Sequence, residues 1–182
     1  MAEVVDQQQL LTGASAGFGD DTGVKYRGIG FTPALASLTA IEFARIKGSH
    51  GIKIFLDTAN ASSIPDHNEA GAIYAWTVPN ASITGVTQKF TLPVEQTLTI
   101  GAQYVFYISP WNTGTDAYVN DYTDMTWRAA NVYAGGGPIQ YTVAGGWTVS
   151  DFGNLDAYFK TYGNESASSG GNLHPLYLRS LR

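Results

Sequence analysis

The chain has 182 residues and a mass of 19.5 kDa, the size of a single domain of roughly 100–200 residues. Hydrophobic residues make up 44% and charged residues only 14%, against about 25% charged in an average domain, a balance that excludes a disordered chain. A net charge of −5 and a pI near 5.0 exclude a nucleic-acid binder, which needs a concentrated basic face to release phosphate counterions.

From the N-terminus, residues 1–23 read as an arm: they hold the polar run Gln7-Gln8-Gln9 and lack the basic and apolar regions of a secretory signal. The product is expected to begin in the cytoplasm. Strands are predicted at 24–32, 35–47, 52–57, 72–78, 86–92, 102–108, 125–132, 139–143 and 155–162, eight or nine in all. The segment 35–47 comes closest to helical spacing, but Thr39, Ile41, Phe43 and Ile46 are branched or aromatic and favour a pleated surface. Alternation sets Ile52, Ile54 and Leu56 on one face of a strand, and Tyr104, Phe106 and Ile108 on one face of another. Turn signals recur between them, at Gly48-Ser49-His50-Gly51, Pro79-Asn80-Ala81, Pro93-Val94-Glu95-Gln96, Gly114-Thr115-Asp116 and Gly135-Gly136-Gly137-Pro138. That cadence predicts an all-β domain over 24–163, a two-sheet antiparallel sandwich of jelly-roll type, because one open sheet leaves an apolar face wet. Residues 164–182 begin as a Gly/Ser linker and end in a docking tail carrying Leu173, Leu176, Tyr177, Leu178, Arg179, Leu181 and Arg182. Both arms either dock on a neighbouring subunit or fold back on their own domain.

The chemistry-bearing residues are sparse. The absence of cysteine removes disulfides, thiolate zinc sites and thiol nucleophiles. No stretch is long and apolar enough for a membrane helix. His50, His67 and His174 show no metal-ligand or catalytic spacing and read as surface or packing residues. Gly13-Ala14-Ser15-Ala16-Gly17 has the letters of a nucleophile elbow without its strand and helix. Gly28-Ile29-Gly30 and Gly135-Gly136-Gly137 read as turns or bulges. The long polar connections 57–71 and 112–123 are the candidate functional loops. Asp57, Asn60, Asp121 and Asp124 offer oxygens that suit calcium, but without a calcium-loop spacing they equally suit turns, and no other cofactor is indicated. Trp76, Trp127 and Trp147 are expected in the core. Trp111, just past a core strand, is the best aromatic platform for a sugar, with Tyr107, Asn112, Asp116 and Asn120 around it.

Several stretches together carry a resemblance: Gly28-Ile29-Gly30-Phe31-Thr32-Pro33, Leu38-Thr39-Ala40-Ile41-Glu42-Phe43, Thr91-Leu92-Pro93, Leu98, Gly101-Ala102-Gln103-Tyr104, Tyr133-Ala134-Gly135-Gly136, Trp147 and Asp156-Ala157-Tyr158-Phe159. Their order over residues 24–162 resembles the choice-of-anchor-type β-sandwich domains of bacterial surface proteins and phage structural proteins, which are similar in shape to carbohydrate-binding modules. The resemblance implies a jelly-roll sandwich without catalysis. On this reading the protein is expected to do without the signal peptide, further domains and wall anchor of the surface-protein versions. The expectation is therefore a non-enzymatic virion protein, a head-decoration or tail-associated subunit made in the host cytoplasm and binding copies of itself and other virion proteins. The alternative is a carbohydrate-binding module, extracellular or at a cell surface, with cell-surface glycans as its partner.

Overall fold

The computed structural model describes residues 2–10, 15–19, 24–48, 51–67, 69–79, 87–111, 122–129, 136, 138–149 and 155–165. Thirteen strands are present among them: β1 Glu3–Gln9, β2 Ser15–Gly19, β3 Val24–Phe31, β4 Ser37–Gly48, β5 Gly51–Thr58, β6 Tyr74–Val78, β7 Thr87–Thr97, β8 Tyr104–Trp111, β9 Tyr122–Ala129, β10 Pro138–Thr142, β11 Gly146–Val149, β12 Leu155–Ala157 and β13 Phe159–Asn164. They form the predicted antiparallel sandwich. One layer runs β1-β13-β4-β7, and the other runs β11-β10-β3-β8-β5-β6. The twelve-residue β4 serves both layers. Its first part pairs with β13 and β7, and its end pairs with β9, which continues through β2 to the start of β3.

The core lies where the alternation places it. Ile52, Ile54 and Leu56 of β5, with Tyr104, Phe106 and Ile108 of β8, face Leu38, Ile41 and Phe43 of β4, Phe90 and Leu92 of β7 and Phe159 of β13. Trp76 joins them, as expected. Phe106 is the ring that crosses between layers, 6.3 Å from Phe43 and 6.1 Å from Phe159, while Phe43 stacks on Phe90 at 4.6 Å.

Of the two courses open to the N-terminal arm, residues 3–9 take the fold-back one: they form edge strand β1, paired with β13 from Glu3↔Asn164 to Gln9↔Phe159. Asp6 Oδ1 also accepts the backbone N–H groups of Ala34 and Leu35, both at 2.9 Å, tying this strand to the entry of β4. Residues 15–19 are likewise a strand, β2. Pro93-Val94-Glu95-Gln96 is not a turn between strands: it lies within β7, opposite the register shift between Leu38 and Ala40. Proline lacks an N–H for the ladder, so an irregular edge strand is where a sheet accommodates it. The tail residues Leu173, Leu176, Tyr177, Leu178, Arg179, Leu181 and Arg182 lie outside the described residues.

Candidate functional site

The outer face of the second layer is not left to solvent. Phe55, Val105 and Tyr107 point away from the core between the sheets, since they alternate with residues that face it, yet they are buried in a second cluster with Tyr26 and Ile139. The connection 59–73, which includes a 3-10 turn at Glu69–Gly71, supplies Ala59 and Ala72 to that cluster. Two features hold the connection in place. Asp57, fully buried, accepts the Thr58 N–H at 2.8 Å and the His67 N–H at 2.9 Å, and its Oδ1 lies 2.9 Å from His67 Nδ1. Ser63, buried at a left-handed φ of 64°, rests on β3 at Gly30, where a Cβ would fall 2.0 Å from Ser63 Oγ and 2.3 Å from its Cβ. The motif Gly28-Ile29-Gly30 is therefore neither turn nor bulge. It lies within β3, and Gly30 admits the covering loop.

Beside this cover the strand register builds an aromatic cup. Tyr141 of β10 stands opposite Tyr26 of β3 on one side and Trp147 of β11 on the other, so the three rings form one cross-strand row. Tyr26 and Trp147 stack with centroids 5.5 Å apart and 22° between planes, and Tyr141 meets both edge-on at 5.5 and 5.3 Å. The β10–β11 hairpin closes through residues 143–145, and Gly146, which opens β11 opposite Thr142, holds a left-handed φ of 71° that glycine adopts freely. Gly145 N–H donates to Thr142 Oγ1 at 3.0 Å and steadies the turn. The rim is charged: Lys25 Nζ lies 2.9 Å from Glu69 Oε1 and 4.9 Å over the Tyr26 ring. These residues and Ala70 line a pocket of about 300 Å³.

Of the sequence-predicted ligand-binding and calcium residues, Tyr107, Asp57 and Asn60 have described side chains. Tyr107 is 0% exposed, stacked on Phe55 at 4.8 Å and met edge-on by Trp147 at 4.9 Å, so it is part of the packing under the cup and presents no platform. Burial, with the charges of Asp57 and Glu69, pushes its phenol well above the usual range. The backbone of Trp111 closes β8 opposite Gly51, and its side chain lies outside what is described. Asn112, Asp116, Asn120 and Asp121 lie outside the described residues, and Asp124 is placed only by its strand, β9, opposite Gly17. Asp57 and Asn60, the other two calcium candidates, turn their oxygens to the backbone of their own loop. The oxygens of Asp57 accept N–H groups of their own loop, and Asn60 Oδ1 accepts those of Ser62 at 2.8 Å and Ile64 at 3.2 Å. Trp147, expected in the core, is half-buried and lines the pocket. The residues missed were Tyr26 and Tyr141, whose one sequence signal was a tyrosine in each of two predicted strands.

The remaining described networks also join segments of chain. On the outer face of the first layer, Glu42 accepts the hydroxyls of Tyr158 and Tyr162, both at 2.5 Å, and Lys160 Nζ at 2.9 Å. Burial works against the Glu42 carboxylate, but these three donors outweigh it and hold its pKa below the usual value. Burial and the hydrogen bond to Glu42 push the Tyr162 phenol up to about 12. Glu3 meets Lys89 and accepts the Thr39 hydroxyl at 2.6 Å. Among the described residues no group of three or more His, Asp or Glu side chains gathers to hold a metal ion. Comparison with protein-family models, with curated proteins and with solved structures finds no match.

The His67–Asp57 contact makes the loop anchor sensitive to pH. The hydrogen bond to Asp57, then the charges of Asp57 and Asp66, raise the His67 pKa above its usual value. A raised histidine contributes fully below its unfolded value of about 6.5 and loses that contribution as pH rises through the folded value. The melting-temperature gap between wild type and His67→Ala should therefore be widest near pH 5.5 and close toward pH 8.5. A gap that stays constant across that window would show that the imidazolium contributes nothing.

Proposed function

We propose that the protein is a non-enzymatic structural subunit of a virion, a head-decoration or tail-associated sandwich that acts by contact with copies of itself and other particle proteins. The observation that carries this reading is how the carboxylates are used. Glu3, Asp6, Glu42, Asp57, Glu69 and Glu95 each link two segments of the chain, to Lys89, the 34–35 backbone, Lys160 with two tyrosines, His67, Lys25 and Asn164 respectively. Such groups stiffen a surface, whereas catalysis requires acid, base and nucleophile aimed at one shared point. The resemblance to phage structural domains supports the same reading, and the leucine-rich tail at 172–182 supplies a contact segment.

The test compares the full chain with a truncation lacking residues 172–182, by thermal melting, light scattering and electron micrographs. The expected result is an oligomer of defined size for the full chain and a monomer with the same melting temperature for the truncation. A full chain that remains monomeric, without rings, trimers or filaments, overturns the reading, as does a truncation that assembles like the full chain.

A further inference from the structure

We infer that the aromatic cup of Tyr26, Tyr141 and Trp147, with Lys25 and Glu69 at its rim, binds a single neutral sugar ring of a glycan. The inference goes beyond an assembly role and does not depend on it, since a monomer carries the whole cup.

The argument begins with what the cup offers a ligand. Tyr141 and Trp147 are half-buried and line the pocket, while Tyr26 is nearly covered and held by Trp147 stacked at 5.5 Å. A flat aromatic face suits a ligand that has a flat apolar face of its own, as a pyranose does on the side where its axial C–H groups gather. Such rings also lose little conformational entropy on contact, having few rotatable bonds. Because the three aromatics sit in one cross-strand row, the sheet fixes their spacing before any ligand arrives, which keeps the cost of ordering low.

The rim decides among ligands. Lys25 and Glu69 are paired at 2.9 Å, so the pocket carries a donor and an acceptor side by side and no net charge. That arrangement suits a ligand with adjacent hydroxyls, each able to donate and accept, better than an anion, which Glu69 repels, or a cation, which Lys25 repels. A wholly apolar ligand would bury the charged pair with nothing in exchange. The volume of about 300 Å³ stands at the lower limit of ligand pockets, roughly 300–1,000 Å³, and matches one ring at the end of a chain better than a run of several. The aromatic cluster also contains the Tyr26 hydroxyl and the Trp147 indole N–H, for which no described group is a hydrogen-bond partner.

The test applies the full-length protein to an array of neutral and sialylated glycans and then titrates the methyl glycoside of the best terminal sugar, following tryptophan fluorescence. Two variants accompany it: Trp147→Phe, which keeps an aromatic ring in the packing, and Glu69→Gln, which breaks the rim pair without touching the row. The expected result is binding confined to glycans ending in a neutral sugar, weakened about tenfold or more in each variant, a loss of about 1.4 kcal/mol, with melting temperatures close to wild type. The inference is overturned if the folded protein binds no glycan on the array. It is equally overturned if the glycans bound are the sialylated ones, or if affinity is unchanged in both variants.

Discussion

Phe106→Ala is expected to lower stability by about 3–5 kcal/mol, the range for deleting a buried phenylalanine when the cavity cannot close. Phe106 is fully buried in β8, a strand with neighbours on both sides, and its ring touches Phe43 and Phe159 in the other layer and Phe31 beside it. The walls of the cavity would belong to two sheets, and closing it would require both to move. Chemical denaturation should show a lower midpoint with an unchanged slope, the mark of lost packing without a change in the surface exposed. Phe106→Leu should recover more than half of the loss. If Phe106→Ala costs less than about 1 kcal/mol, the packing between the layers is not as described.

Gly30→Ala is the second large effect, and its cause differs: the protein loses room. The new methyl would lie 2.3 Å from Ser63 Cβ, a distance that rotating the hydroxyl cannot relieve, so the loop must lift or β3 must bend. Overpacking of this kind costs about 1–3 kcal/mol, and the upper end is expected because Ser63 already holds a left-handed φ that a serine adopts at a cost. The two positions should be coupled. In a Ser63→Gly background, where the two serine atoms are gone, only the end of the flexible Gln103 side chain stays close, at 3.0 Å, and glycine accepts that φ freely, Gly30→Ala should cost about 1 kcal/mol or less. A double-mutant cycle measures this directly. Additive effects would mean that loop and strand do not meet at Gly30.

The frame of the molecule was legible in the sequence wherever one face of a strand is apolar. Ile52, Ile54 and Leu56 announce β5, and Tyr104, Phe106 and Ile108 announce β8, because period-two burial leaves its print on composition. β1 was illegible for the converse reason. Glu3-Val4-Val5-Asp6-Gln7-Gln8-Gln9 has no apolar face, and it belongs to the sheet through its backbone ladder to β13 and through Asp6. Proline hid the continuity of β7, since Pro93 reads locally as a turn and only the paired strand shows it to be an irregularity.

The cup was illegible because it is a property of register. Tyr26, Tyr141 and Trp147 come from distant or turn-separated places, and no local pattern states that they stand in one row. Trp111 stands out in the sequence by its position just past a strand, a local cue. The alternation that puts Phe106 inward sends Tyr107 to the opposite face, where the 59–73 connection covers it.

β4 has a mechanical consequence. A single run of backbone is hydrogen-bonded into one layer along its first part and into the strands leading to the other at Arg45 and Gly48. Shear between the layers cannot be absorbed by side chains slipping past one another, as it can where only loops join two sheets. It must break ladder bonds at that crossing, so the sandwich resists sideways load as one girder, and when it yields both layers yield together.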